Sequence, residues 1–202
     1  MILFSGDLVF SGEDHSSFSS ARTRFIDRVL ASTGLTRESL FIAPGNHDVS
    51  RRAVRSDSFV EAGARATLTS DVLVNEFIDG LVSGDSASGR VIERLDNFYK
   101  FVRSEIDVSP VVNDPLLRVF VAKKGDLRVG IACFDTAWRA TGESDNVDRN
   151  KLILGERHID KAIAAIETAD IKIAMLHHPL NWLAEFDEVV VSNRLYYPRR
   201  PL

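Results

Sequence analysis

The sequence contains little cysteine, proline or glycine and has no long apolar run. Its 202 residues include one cysteine, six prolines and twelve glycines. A single cysteine, Cys133, cannot form an internal disulfide, so nothing requires an oxidising compartment. The low glycine and proline contents exclude collagen-like and low-complexity chains. Because no apolar run approaches about 18 residues, we predict no transmembrane helix. We therefore expect a cytoplasmic protein without a membrane partner.

The composition that is present is that of one globular domain. Apolar residues make up 45% of the chain and charged residues 27%, enough to bury a core at this length. The net charge of −4 argues against nucleic-acid binding through bulk positive charge, although a local basic patch stays open. We expect residues 1–202 to form a single domain.

The first part of the chain has the pattern of a β-α-β unit. Residues 1–5 and 40–43 are short apolar runs typical of buried parallel strands. Between them, apolar residues recur at three- and four-residue steps over residues 18–32, which predicts a helix, and Gly34 provides a stop. Both strands end in polar loops, which would lie at the sheet edge where open α/β folds carry their sites. The fold class is therefore predicted to be α/β.

The rest of the chain predicts helices and further strands. Residues 50–106 read as a helical insertion after the second strand, within the same domain, and include one continuous helix over 91–106. Residues 117–122 and 127–134 read as a hairpin, with Cys133 in its core. A helix over 157–168, with His158 on its charged and solvated face, precedes a last strand over 171–176. The closing residues 196–202 are expected to lack regular structure.

Three of these apolar strands end in loops that carry metal-ligand side chains. Asp7 follows the first strand, Asn46 and His47 follow the second, and His177 follows the last. Divalent ions are bound by this mixture of carboxylate, amide oxygen and imidazole, and rigid strand ends hold such groups accurately. The neighbouring glycines, Gly6 and Gly45, allow tight turns. A divalent-metal site is the prediction.

At this point the chain resembles the calcineurin-like metallophosphoesterase family. The matching segments are FSGDLVFSG at 4–12, APGNHD at 43–48 and MLHHPL at 175–180, each after a strand and in the family's order. The resemblance implies a four-layer α/β/β/α sandwich with two divalent metal ions, such as Mn, Fe or Zn. It further implies that Asp7 bridges both ions and that Asn46 and His177 ligate the second. His47 would protonate the leaving oxygen or stabilise its charge.

The chain also departs from the family pattern. It has no Asp-x-His motif before Asp7 and no Gly-His-x-His motif after His178, so the first ion would lack an aspartate and two histidines. The chain is then either part of a longer product with further segments or domains, which we expect, or a degenerate domain. Serine/threonine phosphatases of this superfamily carry an acidic residue at the position of Phe10 and a glutamate at the position of Asp48. These two differences favour the phosphodiesterase and nuclease branch.

The function expected from these residues is that of a hydrolase. It would cleave a phosphodiester or phosphomonoester through metal-activated water, and candidate substrates include a nucleotide or nucleic acid. Arg51 and Arg52 follow the Gly-Asn-His-Asp segment and either attract phosphate or form the solvated first turn of a helix. The alternative function is a non-catalytic module that binds a phosphorylated ligand or a partner domain.

Overall fold

A computed structural model describes residues 1–106 and 108–197, apart from the side chain of Asp145. It shows a mixed α/β fold with one two-stranded and one four-stranded sheet. Of the closing residues that were expected to be irregular, Tyr196 ends a helix, and residues 198–202 lie outside the described part of the chain.

The two-stranded sheet is the predicted β-α-β unit. Strands β1 (Ile2–Phe4) and β2 (Leu40–Ile42) pair in parallel, with Ile2 opposite Leu40. The connection carries helices α1 (His15–Ala21) and α2 (Asp27–Thr33), joined by a π-helical segment over Arg22–Ile26. Gly34, at φ 65°, ends α2, in the left-handed conformation that favours glycine. The sequence prediction for this unit is confirmed.

The four-stranded sheet contains both kinds of pairing. Its strands are β3 (Val112–Asp114), β4 (Leu117–Lys124), β5 (Leu127–Phe134) and β6 (Ile171–Met175), adjacent in that order. β4 and β5 form the predicted antiparallel hairpin, whereas β6 joins β5 in parallel. The parallel pairing sends the chain after β6 towards the same side as the end of β5.

An apolar layer joins the two sheets. Phe41 of β2 contacts Phe120 of β4 with ring centroids 5.0 Å apart. Alternate residues of β5 point into this layer because side chains of a strand alternate between its faces, and Cys133 is one of them, 4% exposed. The prediction that Cys133 is a core residue is confirmed.

The prediction for His158, in helix α9 (Glu156–Ala165), is wrong. His158 was expected on a solvated helix face, but it is only 1% exposed, and its Nδ1 lies 3.0 Å from the carbonyl oxygen of Leu154. Burial lowers the pKa of His158 to about 4, so the ring is neutral near pH 7. The charged residues next to His158 in the sequence suggested a solvated position, but its ring points into the core.

Residues 51–106 are mostly helical. The helices are α3 (Arg51–Ser56), α4 (Ser58–Thr67), α5 (Asp71–Ser83), α6 (Ser86–Ile92) and α7 (Asp96–Phe101). Side chains of Ser50, Asp57, Ser70 and Asp85 cap the starts of α3 to α6. The single helix expected over 91–106 is wrong, because a 3-10 turn over Glu93–Leu95 and a π-helical segment over Val102–Ile106 interrupt it.

A buried ion cluster ties these helices to the loop after β5. Glu61 of α4 accepts hydrogen bonds from both terminal nitrogens of Arg139 at 3.0 Å, and Arg94 binds the same carboxylate at 2.5 Å. Burial opposes ionisation of Glu61, but the two arginines hold its pKa at about 2. The cluster therefore stays charged and hydrogen-bonded at neutral pH.

Helix α10 (Glu185–Tyr196) is anchored by a buried aspartate. Asp187 is 1% exposed and accepts the backbone N–H groups of Leu154 at 2.6 Å and Gly155 at 3.0 Å. The remaining helix, α8, spans Asp145–Asp148. Within residues 1–106 and 108–197, no helix combines the length and apolar character needed to cross a bilayer.

We predict that Asp187 makes stability fall as pH rises. Burial, with a smaller effect of Asp71, raises the pKa of Asp187 from 3.8 to about 6 although its N–H donors oppose this. Between these pH values the folded state holds a proton that the unfolded state has lost. The free energy of unfolding should therefore drop by about 2–3 kcal/mol from pH 4 to 6 on account of this group.

The measurement is urea denaturation of the natural chain and of Asp187→Asn across pH 4 to 7. Other titrating groups cancel in the difference between the two chains, so this difference isolates Asp187. A difference that does not change with pH would contradict the prediction.

Candidate metal centre

The ends of β1, β2 and β6 bring three predicted ligands together. The Nε2 atom of His177 lies 3.1 Å from Oδ1 of Asn46 and 3.5 Å from Oδ1 of Asp7. Ligand atoms of one divalent ion stand about 3 Å apart, because each lies about 2 Å from the ion. Both distances from Nε2 therefore fit a shared ion.

The protonation of His177 also fits a ligand. Its Nδ1 lies 2.7 Å from the carbonyl oxygen of Ser5. That oxygen only accepts, so Nδ1 carries a proton, and in the neutral ring the lone pair is then on Nε2. Metal-bound histidines are held in this way, with the second ring nitrogen donating to a carbonyl. Nε2 then faces the oxygens of Asp7 and Asn46, an acceptor cluster that a cation would stabilise.

Two glycines make room for this cluster. Gly6 has φ 112°, and a Cβ atom there would lie 2.5 Å from the backbone nitrogen of Gly45. A Cβ atom at Gly45 would lie 2.2 Å from Oδ1 of Asp7. The two loops can approach this closely only because both positions lack a side chain. Asp7 itself has φ 59°, a left-handed conformation that aspartate tolerates better than most residues.

The ligand set is small. In the part of the chain that the structure describes, no group of three or more His, Cys, Asp or Glu side chains is arranged to hold a metal ion. The cluster contains two such side chains, Asp7 and His177, and an amide oxygen from Asn46. These are hard and borderline donors of the kind that suit Mn²⁺, Fe²⁺ or Zn²⁺.

His47 stands beside this cluster. Its backbone N–H donates to Oδ1 of Asp7 at 3.0 Å, so the two predicted site residues are directly linked. Its ring Nδ1 lies 2.9 Å from the carbonyl oxygen of Phe10. This contact fixes the ring with Nδ1 as the hydrogen-bond donor, because the carbonyl oxygen only accepts.

Asp48 is a residue whose role the sequence did not reveal. It is fully buried, and its Oδ2 accepts the backbone N–H groups of Asp7 and Gly45, both at 2.9 Å. Its Oδ1 accepts the N–H of Val9 at 3.2 Å. Burial raises the pKa of Asp48 to about 6, although these donors favour the ionised form. One carboxyl group thus joins the loop after β1 to the loop after β2.

The second histidine of the pair lies behind the cluster. His178 is 3% exposed, and its Nδ1 lies 2.9 Å from Oγ1 of Thr136. Burial, with a smaller effect of His177, lowers the pKa of His178 to about 3, so this ring is neutral. The structure therefore gives His178 a packing position and leaves the cluster to His177.

Asp135, for which the sequence suggested no role, is also buried. Its carboxyl group accepts the Tyr99 hydroxyl at 2.8 Å and the backbone N–H of Ala137 at 2.7 Å. Burial raises the pKa of Asp135 to about 7. Its bonds connect α7 to the loop after β5, so we assign it to the support of that loop.

The two predicted substrate-binding arginines have different surroundings. The guanidinium carbon of Arg51 lies 6.0 Å from the centroid of the Phe10 ring, on the side of the site next to His47. The Arg52 side chain is 76% exposed and its Nε lies 3.8 Å from the Glu13 carboxylate. Of the two, Arg51 is therefore the one beside Phe10, whose carbonyl oxygen contacts the His47 ring.

These groups together can hold a cation, exchange a proton and attract an anion next to one another. Asp7, Asn46 and His177 are the candidate metal ligands, His47 is the candidate proton donor and Arg51 is the candidate anion-binding group. Comparisons of the chain with protein-family models, with curated proteins and with solved structures found no match.

Proposed function

We propose that this chain is a metal-dependent phosphoesterase that hydrolyses a phosphodiester or phosphomonoester. The observation that carries the proposal is the convergence of Asp7, Asn46 and His177 at three strand ends. The Oδ1 atoms of Asn46 and Asp7 lie 3.1 and 3.5 Å from Nε2 of His177. The proposal includes the calcineurin-like four-layer sandwich and a cytoplasmic location. The two facing sheets, with Ile166 and Ala169 after the end of α9 packed on Gly130, support the sandwich.

In this proposal the three ligands hold one divalent ion. A bound ion would supply Lewis acidity and lower the pKa of a coordinated water towards neutrality. This ion corresponds to the second ion of the family site. The first ion would share Asp7, and its other ligands belong to motifs that this sequence lacks. Each remaining step belongs to groups of the chain itself.

His47 is assigned the proton transfer. As an imidazolium its Nδ1–H donates to the Phe10 carbonyl oxygen, 2.9 Å away. Its Nε2–H can then give a proton to the leaving oxygen. The hydrogen bond from its backbone N–H to Asp7 fixes the backbone of His47 relative to the ligands. Arg51 would bind a non-bridging phosphate oxygen through its guanidinium group.

The test is hydrolysis of bis(p-nitrophenyl) phosphate by the full chain. We expect hydrolysis that requires Mn²⁺, stops with EDTA and returns with added Mn²⁺, together with Mn²⁺ binding detected by titration calorimetry. A metal-free chain that neither binds Mn²⁺ nor hydrolyses the ester would contradict the proposal and favour the non-catalytic module.

The two arginines provide a matched pair of variants. Arg51→Gln should raise KM at least about tenfold, because it removes one charge-assisted contact worth about 1.5 kcal/mol or more, and should flatten the dependence of KM on salt. Arg52→Gln should leave KM unchanged, since that side chain is exposed and lies near Glu13. Equal effects of both substitutions would remove Arg51 from the site.

A further inference from the structure

We propose, resting on the proposed function, that Phe10 stacks on an aromatic ring of the substrate, so that the preferred esters carry a planar aromatic group next to the phosphate. Phe10 is 81% exposed, whereas its neighbours Leu8 and Val9 are 9% exposed. The loop after β1 thus buries two apolar side chains and presents the third to solvent.

Exposure alone would not distinguish Phe10, because single exposed apolar residues are common on protein surfaces. Phe59 of α4 is 91% exposed and, among the residues that the structure describes, has no aromatic or cationic partner. Phe10 differs because its ring centroid lies 5.6 Å from that of His47, at an interplanar angle of 44°. Its carbonyl also contacts the His47 ring at 2.9 Å. The position of Phe10 is therefore tied to the residue assigned to the leaving group.

Arg51 places a positive charge on the same side. Its guanidinium carbon lies 6.0 Å from the Phe10 centroid, and none of the ion pairs among the described side chains, which do not include that of Asp145, involves Arg51. The stem of the side chain passes close to Gly142, where a Cβ atom would lie 2.9 Å from Cγ of Arg51. An anion at Arg51 and a ring over Phe10 would thus be adjacent in one ligand.

The exposed Phe10 ring favours a planar aromatic group, which both nucleotide esters and aryl esters carry. A phenylalanine face attracts any flat π-system, so both a nucleobase and a simple aryl group satisfy it, whereas an alkyl group or a bare sugar does not. Proton donation by His47 would occur on the oxygen next to this ring. Phe10 therefore acts on selectivity and leaves the ligands of the ion untouched.

Phosphonates test this inference without turnover, because their P–C bond resists hydrolysis. The probes are methylphosphonate, which has no ring, phenylphosphonate, and the methylenephosphonate analogue of AMP. Their dissociation constants are measured by calorimetry with the Mn²⁺-loaded full chain. In the natural chain we expect at least one aromatic probe to bind about tenfold more tightly than methylphosphonate. The tighter aromatic probe tells whether the ring is an aryl group or a nucleobase.

Substitutions then assign the preference to Phe10. Phe10→Ala and Phe10→Leu should both abolish the tenfold preference and leave methylphosphonate binding unchanged, while Phe59→Ala should change nothing. Equal binding of all three probes by the natural chain, or a preference that survives Phe10→Leu, would overturn the inference while leaving the proposed function intact. A natural chain that binds neither Mn²⁺ nor any phosphonate would overturn both.

Discussion

Replacement of Asp7 by asparagine is expected to weaken Mn²⁺ binding by at least about 100-fold, since even residues that only support a metal ligand typically contribute 10- to 100-fold. Hydrolysis should fall at least as much. Asp7 supplies the only carboxylate in the cluster with Asn46 and His177. Without its charge, the ion would face neutral groups alone.

Asparagine is the appropriate substitute because it changes the charge and little else. Asp7 has φ 59°, and asparagine is, with aspartate, among the few residues that adopt this conformation readily. Its amide oxygen can still accept the backbone N–H of His47, as Oδ1 of Asp7 does at 3.0 Å. The fold should therefore persist, and thermal unfolding without metal should be close to that of the natural chain.

Titration calorimetry with Mn²⁺ measures this effect, and Asp79→Asn is the control. Asp79 is 59% exposed and pairs with Arg157 on the surface, so its replacement removes the same charge away from the three strand ends. If the Asp7→Asn variant bound Mn²⁺ as tightly as the Asp79→Asn variant, Asp7 would be excluded as a ligand.

The position of the site could be inferred from the sequence because it depends on local patterns. Short apolar runs predicted β1, β2 and β6, and each was followed within three residues by a polar residue of ligand type. The parallel strands β1 and β2 end at one edge of their sheet and bring Asp7 and Asn46 together. His177 comes from the end of β6 in the second sheet, and the structure places it in contact with both. Their metal-binding role stays a prediction.

The features that the sequence did not reveal depend on contacts between distant residues. Asp48 binds the N–H of Asp7 across 41 positions, and no periodic pattern encodes such a bond. His158 appeared solvated because its sequence neighbours are charged, yet the α9 backbone turns its ring inward, where Leu154 binds it. The break at Glu93–Leu95 likewise interrupts an apolar stripe that looked continuous.

Replacement of Asp48 by alanine is expected to lower the free energy of unfolding by about 4 kcal/mol, because each buried donor left unpaired costs about 1 to 3 kcal/mol. The substitution leaves the N–H groups of Asp7, Val9 and Gly45 without the oxygens that now accept them. Two of these bonds are buried, so water cannot readily replace the carboxylate. Urea denaturation at pH 8, where the carboxylate is ionised in the natural chain, gives the value.

The same substitution should also weaken Mn²⁺ binding by about 10- to 100-fold, as expected for a group that positions a ligand. Asp187→Ala separates this effect from a general loss of stability. Asp187 is nearly as buried as Asp48 and accepts two backbone N–H groups where Asp48 accepts three, but its donors belong to Leu154 and Gly155. It should therefore lower stability while Mn²⁺ affinity is retained, measured at a temperature where both variants are folded. If both variants lost metal affinity equally, Asp48 would have no specific role in positioning Asp7, and its carboxyl group would serve only to join the two loops.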